Sequence, residues 1–321
     1  MKNFALIGAS GYIAPRHMKA IKKTGNNLIV ALDPYDGIGI MDRNFPQADF
    51  FTEFEKFDSF IDTWHRENKS NRIDYMSICS PNYLHDAHIK FALKNGADAI
   101  SEKPVVLNPE NIDQLKIIEQ ETGKKVYNIL QLRLHSSIIT LKEKVTRELK
   151  ENPLKVYDID LTYLTSRGKW YFASWKGDEV KSGGIASNIG VHFYDMLCWI
   201  FGDVQENIVH LKQTDANAGS FKLKNANVRW FLSINYNYIP EEVKARGLTT
   251  FRSITVDGQE IEFSDGFTDL HTRSYEEVLK GNGFGLDEAY GSIRTVNTIR
   301  NSEAIGLKGD YHPFCKRVIN G

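Results

Sequence analysis

What most restricts the fold of this chain is the rhythm of its first 130 residues, where short apolar runs alternate with amphipathic stretches. "FALIG", "LIVAL", "DYMSIC", "ADAIS" and "KVYNIL" read as strands, each separated from the next by a segment of helical periodicity. Repeated βαβ units of this kind require a parallel sheet with helices on its faces. The helices carry their own boundary signals. One is expected from about Pro15 to Thr24, stopped by Gly25. In "FEKFDSFIDTWHREN", Phe54, Phe57, Phe60, Ile61 and Trp64 recur at helical spacing, and Thr52 with Glu55 predicts a capping box at its start. Ala87, Phe91 and Leu93 predict a helix ended by Gly96, and Asn108 with Pro109 predicts an N-cap and first turn for the helix after it.

After a connecting helix near Ser136 to Glu151 the pattern changes. "LKVYDIDLTYLTS", "ENIVHLKQT", "NVRWFLSINYN" and "TFRSITVDGQEIEFSD" are strand-like, and the last contains the hairpin signal Asp257-Gly258. One helix, from about Ser187 to Phe201, lies between the first two. The expected fold class is therefore α/β: a doubly wound parallel sheet in residues 1–130, and in 131–321 a second, α+β domain with a large open, mainly antiparallel sheet. No Pro/Gly/Ser-rich linker separates them, so the default ligand site is a cleft between closely packed domains.

Composition excludes several function classes. A net charge of −1 over 321 residues offers no general attraction to nucleic acid or to an anionic membrane, and the longest apolar runs are too short to span a bilayer. The opening "MKNFALIGAS" reads as a strand rather than a secretory signal, so a cytoplasmic protein is expected. Cys79, Cys198 and Cys315 form no CxxC pair, which points to buried thiols rather than a disulfide framework or zinc site. His85 and His88 lie three apart on one helix, but no third ligand is evident and no metal is expected.

Three segments carry chemistry. "LIGASGYIAPRH" follows a strand and opens a helix, so Gly8 and Gly11 would let the backbone approach a pyrophosphate at a helix N-terminus. The spacing Gly8-x-x-Gly11-x-x-Ala14 differs from GxGxxG and serves equally as a tight turn, but Asp33 ends the next strand 25 residues after Gly8. A carboxylate there meets ribose hydroxyls and repels the extra phosphate of NADP, which makes NAD the expected cofactor. Ser80-Pro81-Asn82 and Lys103 also fall at carboxyl ends of strands, where open α/β sheets bind ligands. In "SGGIASNIGVHFYDMLCWIFG", Asn188, His192 and Asp195 share one helical face beside an apolar row of Ile189, Phe193, Met196 and Ile200. Gly183, Gly184 and Gly190 would let a ligand or another segment come close to the helix start. The simpler reading is a core-edge histidine bonded to Asp195. Oxidising a carbinol needs a base tuned toward neutrality, a task that Lys103 and His192 suit.

The glycine turn, Ser80-Pro81-Asn82 with His85, Glu102-Lys103-Pro104 and "SGGIASNIGVHFYDML", in that order, resemble the glucose-fructose oxidoreductase, inositol dehydrogenase and MocA group of NAD(P)-dependent dehydrogenases over essentially the whole chain. The resemblance implies a Rossmann domain, an open-sheet domain that forms an oligomer contact, a homo-oligomer with a tetramer favoured, Lys103 as a catalytic residue and His192 as its partner in proton transfer. It also implies Tyr12, Ile13, His85, Glu102 and Gln131 as cofactor contacts beside Gly8, Gly11, Asp33, Ser80, Asn82 and Lys103. The group usually has aspartate at the position of Asn188, which shifts proton transfer here toward His192 and Lys103. Within the group, "GYIAPRHMKAIK", "ALDPYDG", "LQLRLH" and "RGKWYFASWKGD" look closest to dehydrogenases that act at C3 of a UDP-linked N-acetylated glucuronate, in the synthesis of diacetamido uronic acids for bacterial surface polysaccharide. For such a substrate, Arg16, Arg133, Arg167 and Arg294 are candidate anion partners, and Tyr163, Trp170 and Tyr171 candidate sugar or uracil contacts. A dehydrogenase of a free polyol such as an inositol and a non-catalytic NAD-binding regulator are the competing readings, the second weakened by the presence of both Lys103 and His192.

Overall fold

In the first half of the chain the apolar runs become six strands: β1 (Asn3–Ile7), β2 (Asn27–Leu32), β3 (Asp49–Phe51), β4 (Tyr75–Ile78), β5 (Asp98–Ser101) and β6 (Val126–Asn128). They form one sheet of order β3-β2-β1-β4-β5-β6, and every pair in it is parallel. The crossovers are α1 (Ala14–Lys23), α2 (Ile38–Asn44), α3 (Phe54–Glu67), α4 (His85–Lys94) and α5 (Pro109–Thr122). The order reverses between β2-β1 and β4, which makes the carboxyl ends of β1 and β4 a topological switch point. The computed structural model describes residues 1–261 and 269–319.

Local signals behave as their chemistry requires, with one correction. Gly25, Gly96 and Gly123 follow α1, α4 and α5 in left-handed backbone, and Asn108 occupies the N-cap before Pro109. The predicted capping box does not form: α3 has Glu53 at its N-cap and no side-chain capping bond, because Thr52 lies one residue too far out.

The second half builds a six-stranded sheet of order β12-β11-β7-β10-β9-β8, from β7 (Tyr157–Thr165), β8 (Val204–Lys212), β9 (Ala216–Leu223), β10 (Ala226–Ser233), β11 (Thr250–Val256) and β12 (Gln259–Glu260). Only β7 and β10 pair in parallel. The Asp257-Gly258 turn joins β11 to β12, and the rest of the "IEFSD" stretch lies outside the described residues. The accompanying helices are α6 (Ser136–Glu151), α7 (Trp170–Ala173), α8 (Glu179–Ser182), α9 (Val191–Phe201) and α10 (Glu241–Lys244), followed by α11 (Leu270–Leu279), α12 (Leu286–Asn301) and α13 (Cys315–Ile319). β9 escapes sequence reading because "ANAGSFKL" is rich in small residues. Their smallness is a packing requirement, since a Cβ on Gly219 would stand 2.6 Å from the Trp230 ring.

The chain divides into two compact units, Met1–Gln131 with Thr268–Tyr290, and Leu132–Phe267 with Gly291–Gly321. A single cut after residue 130 therefore omits a return of the chain: α11 packs on α1 and adds Tyr275 and Val278 to the core around Phe4, Leu6, Met18 and Ile21. The second unit has its own core, which includes Leu164, Ala218, Phe231 and Cys315. All three cysteines are free thiols. Among the described residues no helix is long and apolar enough to cross a membrane.

Candidate active site

At the end of β1 the backbone is committed to glycine. Gly8 has φ +91°, and a Cβ on it would lie 2.6 Å from the Cys79 carbonyl carbon and the Ser80 nitrogen. The Gly8 and Ala9 amides donate to Leu32 O, and the Gly11 amide to Gly8 O. This glycine turn leads into Ile13, the N-cap of α1, at the switch point of the sheet where a doubly wound fold takes a dinucleotide's pyrophosphate. Tyr12 projects into solvent and Arg16 is exposed on the first turn of α1. Asp33 is buried, and its two carboxylate oxygens accept from the amides of Ser10 and Tyr35, each at 2.9 Å. It thereby ties the glycine turn to the turn after β2, and each oxygen retains lone-pair capacity for a ribose hydroxyl. The residues present fit NAD.

The loop after β4 is held by histidines. Ser80 Oγ bonds His88 Nδ1 at 2.9 Å, and Asn82 opens a short 3-10 turn, Asn82–Leu84, where it is buried. Burial lowers the His88 pKa to about 4. His85 departs from the expected direct cofactor contact. Its Nε2 lies 2.8 Å from Ser80 O and its Nδ1 2.7 Å from Pro104 O, and since burial lowers its pKa the neutral ring donates its one N–H to one of these carbonyls while standing between the β4 loop and the β5 loop.

Lys103 follows β5, half-buried, with a cis peptide bond to Pro104. Glu102, expected at the cofactor, instead faces inward. Its Oε1 lies 3.0 Å from His17 Nε2 and 2.8 Å from His271 Nε2, and its Oε2 accepts from the Lys103 amide at 3.1 Å. Burial pushes the carboxyl up, but the bonds from the two imidazoles outweigh it and hold it well below the usual range. His17 is shifted down by burial. An ionised carboxylate only accepts, so both Nε2 atoms carry the proton. Neutral His17 then accepts at Nδ1 from the Tyr275 hydroxyl at 2.7 Å, and Tyr275 accepts from Ser77 Oγ at 2.6 Å. His17, Glu102 and His271 also have the proximity of a metal-ligand set among the described residues. Their mutual hydrogen bonds satisfy them. Sequence reading misses His17, His271 and Tyr275 because nothing local marks them. Gln131, at the start of the 3-10 turn Gln131–Leu134, keeps a buried Oε1 without a partner among the described residues, which suits a ligand amide.

In the second unit, "ASNIG" does not continue the helix as expected. Ala186–Gly190 winds as a π-helix ahead of α9, so Asn188 lies in that wider turn and outside the α-helix that carries His192 and Asp195. Asn188 Nδ2 donates to the Tyr171 hydroxyl at 3.0 Å, which joins it to one of the candidate sugar or uracil contacts. Gly190 makes room for protein: a Cβ there would stand 2.6 Å from Leu232 and 2.9 Å from the Tyr194 ring. His192 is half-buried on the first turn of α9, and Ile189, Phe193, Met196 and Ile200 are buried as their spacing requires.

Arg133 departs from its expected role as an anion partner. Its Nε and Nη2 donate to Asp195 Oδ2 and Oδ1 at 3.0 and 2.8 Å, both side chains are buried, and its guanidinium lies over the Trp199 ring. Lys142 donates to Trp199 O from the same side of the unit. Of the other candidates, Tyr163 stacks obliquely on Phe193 and lies under Arg252. Arg167 and Arg294 are exposed, and Trp170 is half exposed at the start of α7.

Residues 2–129 match an oxidoreductase family through its NAD-binding Rossmann fold, and residues 147–238 match that family's C-terminal alpha/beta domain. The WlbA (WbpB) dehydrogenase from Thermus thermophilus, solved with NAD and alpha-ketoglutarate, is 49% identical, with 98% of this chain and all of that one covered at a TM-score of 0.93. The same dehydrogenase solved with NAD and UDP-GlcNAcA gives 48% identity, equal coverage and a TM-score of 0.92. The D-glucoside 3-dehydrogenase of Escherichia coli is 25% identical over 198 residues, covering 62% of this chain and 53% of that protein, so the match spans about half the relative's length. With both domains matched in sequence order and a solved relative aligned nearly end to end, the chain belongs to the glucose-fructose oxidoreductase, inositol dehydrogenase and MocA family of oxidoreductases.

Proposed function

We propose that this protein oxidises the C3 hydroxyl of UDP-N-acetylglucosaminuronic acid to the 3-keto sugar, with NAD as its cofactor. The observation that carries this reading is the 48% identity, over 98% of the chain, to a dehydrogenase whose structure holds NAD and UDP-GlcNAcA. Bound nicotinamide supplies the hydride acceptor. This chain's residues supply the proton chemistry: Lys103, delivered by the end of β5, and His192, on the first turn of α9, are the groups able to take the hydroxyl proton as the C3 hydrogen leaves. Asn188 cannot ionise, so its part is to orient the site through Tyr171 rather than to relay a proton. Arg16, Arg167 and Arg294 remain the candidates for the diphosphate and carboxylate, since Arg133 is engaged by Asp195. The reading carries with it a cytoplasmic homo-oligomer, a tetramer, serving surface-polysaccharide synthesis, with the keto product suited to an aminotransferase.

Mixing NAD-loaded protein with UDP-N-acetylglucosaminuronic acid, and separately with UDP-glucose and myo-inositol, tests this by the near-ultraviolet absorbance of reduced nicotinamide. A rise with the uronate alone is expected. A rise with myo-inositol alone would transfer the reading to a polyol dehydrogenase, and no rise with any of them, despite NAD binding, would overturn it.

A further inference from the structure

The Glu102 carboxylate is buried at a cost that the fold does not require. α1 and α11 already pack through Met18, Ile21, Tyr275 and Val278 in one apolar core, and replacing a buried charge cluster with apolar side chains of similar volume is often neutral or stabilising. What the carboxylate does that an apolar group cannot is accept the Lys103 amide. Its other oxygen is held by an imidazole from each of α1 and α11, one of them backed by Tyr275 and by Ser77 of β4. On the far side of Lys103, Pro104 O lies 2.7 Å from Nδ1 of the buried His85 of α4. The backbone that carries the Lys103 side chain is thus fixed on both flanks by buried polar groups from three helices and a strand, whereas the side chain itself has a long flexible stem.

We propose that Glu102, held by His17 and His271, is a positioning residue that sets the place of the Lys103 amino group without touching substrate or cofactor. The inference rests on the reading of Lys103 as a proton-transferring residue. Proton abstraction needs the base within hydrogen-bond reach of the hydroxyl, and a displacement of about 1 Å can cost about 10²-fold in rate. Glu102→Gln conserves shape, but its amide NH2 either meets the Lys103 N–H, donor against donor, or faces the two imidazoles, which must then move their protons to Nδ1 and reverse the Tyr275–Ser77 chain.

The test is the single-turnover rate of nicotinamide reduction in NAD-loaded protein at saturating UDP-N-acetylglucosaminuronic acid, with the NAD dissociation constant and the thermal midpoint measured on each variant. Glu102→Gln is expected to slow reduction by about 10²-fold with NAD affinity unchanged. His271→Leu, which leaves Glu102 in place but removes one donor, is expected to slow it in the same manner, and His271→Gln, whose amide can donate to Oε1, to recover most of the rate. This graded pair decides the matter even if Glu102→Gln fails to fold. Normal rates in Glu102→Gln or His271→Leu, or slow rates that merely follow lost NAD affinity or lost thermal stability, would overturn the positioning role. Lys103→Met run in parallel separates the two readings: normal turnover there removes the role of Lys103 itself, whereas an inactive Lys103→Met beside an active Glu102→Gln removes only the positioning.

Discussion

Gly8 and Asp33 constrain the nucleotide turn from opposite sides, one by having no side chain and the other by what its side chain accepts. A methyl group on Gly8 would meet the Cys79–Ser80 backbone, which cannot swing aside as a side chain could, and the φ of +91° is itself unfavourable for alanine. Gly8→Ala is therefore expected to lower stability by at least about 1–3 kcal/mol from backbone strain, read from urea unfolding, and to weaken NAD binding. An unchanged midpoint would contradict the packing described. Asp33→Ala removes the acceptor of two amides and the charge that repels a 2′-phosphate, so the ratio of NADP to NAD affinity should rise, and an unchanged ratio would rule out Asp33 as the selector. Both residues are legible in the sequence because their meaning lies in local spacing: a strand, a glycine turn, and an acidic residue at the end of the next strand. His17 and His271 are not, because their partner Glu102 stands 85 and 169 positions away. The chain brings the three together only after α11 has returned to the first sheet.

At the scale of elements, α9 shows how much periodicity reveals and where it stops. The apolar row was visible and is buried as expected, since a 3.6-residue repeat needs only the helix itself to be interpreted. The π-turn before it and the arginine that fixes it were not, because hydrophobic spacing records which face packs and not which charge lies opposite. Arg133, just beyond the end of the first sheet's last strand, grips Asp195 in the middle of α9 and so secures the helix that presents His192. Arg133→Met leaves Asp195 buried and without its forked partner, and is expected to destabilise the protein by about 3–5 kcal/mol in denaturant unfolding. The double variant Arg133→Met with Asp195→Leu removes both charges and is expected to recover a large part of that loss. If the double variant is as unstable as the single one, the penalty comes from lost packing against Trp199 and not from the stranded carboxylate.

Across the whole molecule, burial of neutral imidazoles sets how the fold responds to acid. His88 in the first unit and His312 in the second are each held down to about 4 by burial, and His17 is lowered by the same cause. A histidine whose folded pKa lies below its unfolded value of about 6.5 is protonated first in the unfolded chain, so its contribution is complete above that value and is lost as pH falls toward the folded pKa. For His88 and His312 the window runs from about 6.5 down to about 4, and the full loss approaches about 3 kcal/mol for each. Glu102 acts lower on the scale: its depressed pKa contributes stability above the ordinary carboxylate range and loses it only below that range, as pH falls toward the folded value. The two kinds of group can therefore be told apart by where the decline begins. Denaturant unfolding at pH 7.5, 6.0 and 5.0 should show stability falling already between the first and last of these, before carboxylates titrate. His88→Gln and His312→Gln should each flatten that decline, His312→Gln while keeping an acceptor for the Phe314 amide and a donor for Thr162. Stability that is flat from pH 7.5 to 5.0 would mean that these rings take up a proton as readily in the folded protein as in the unfolded chain, and burial would not then set the response to acid.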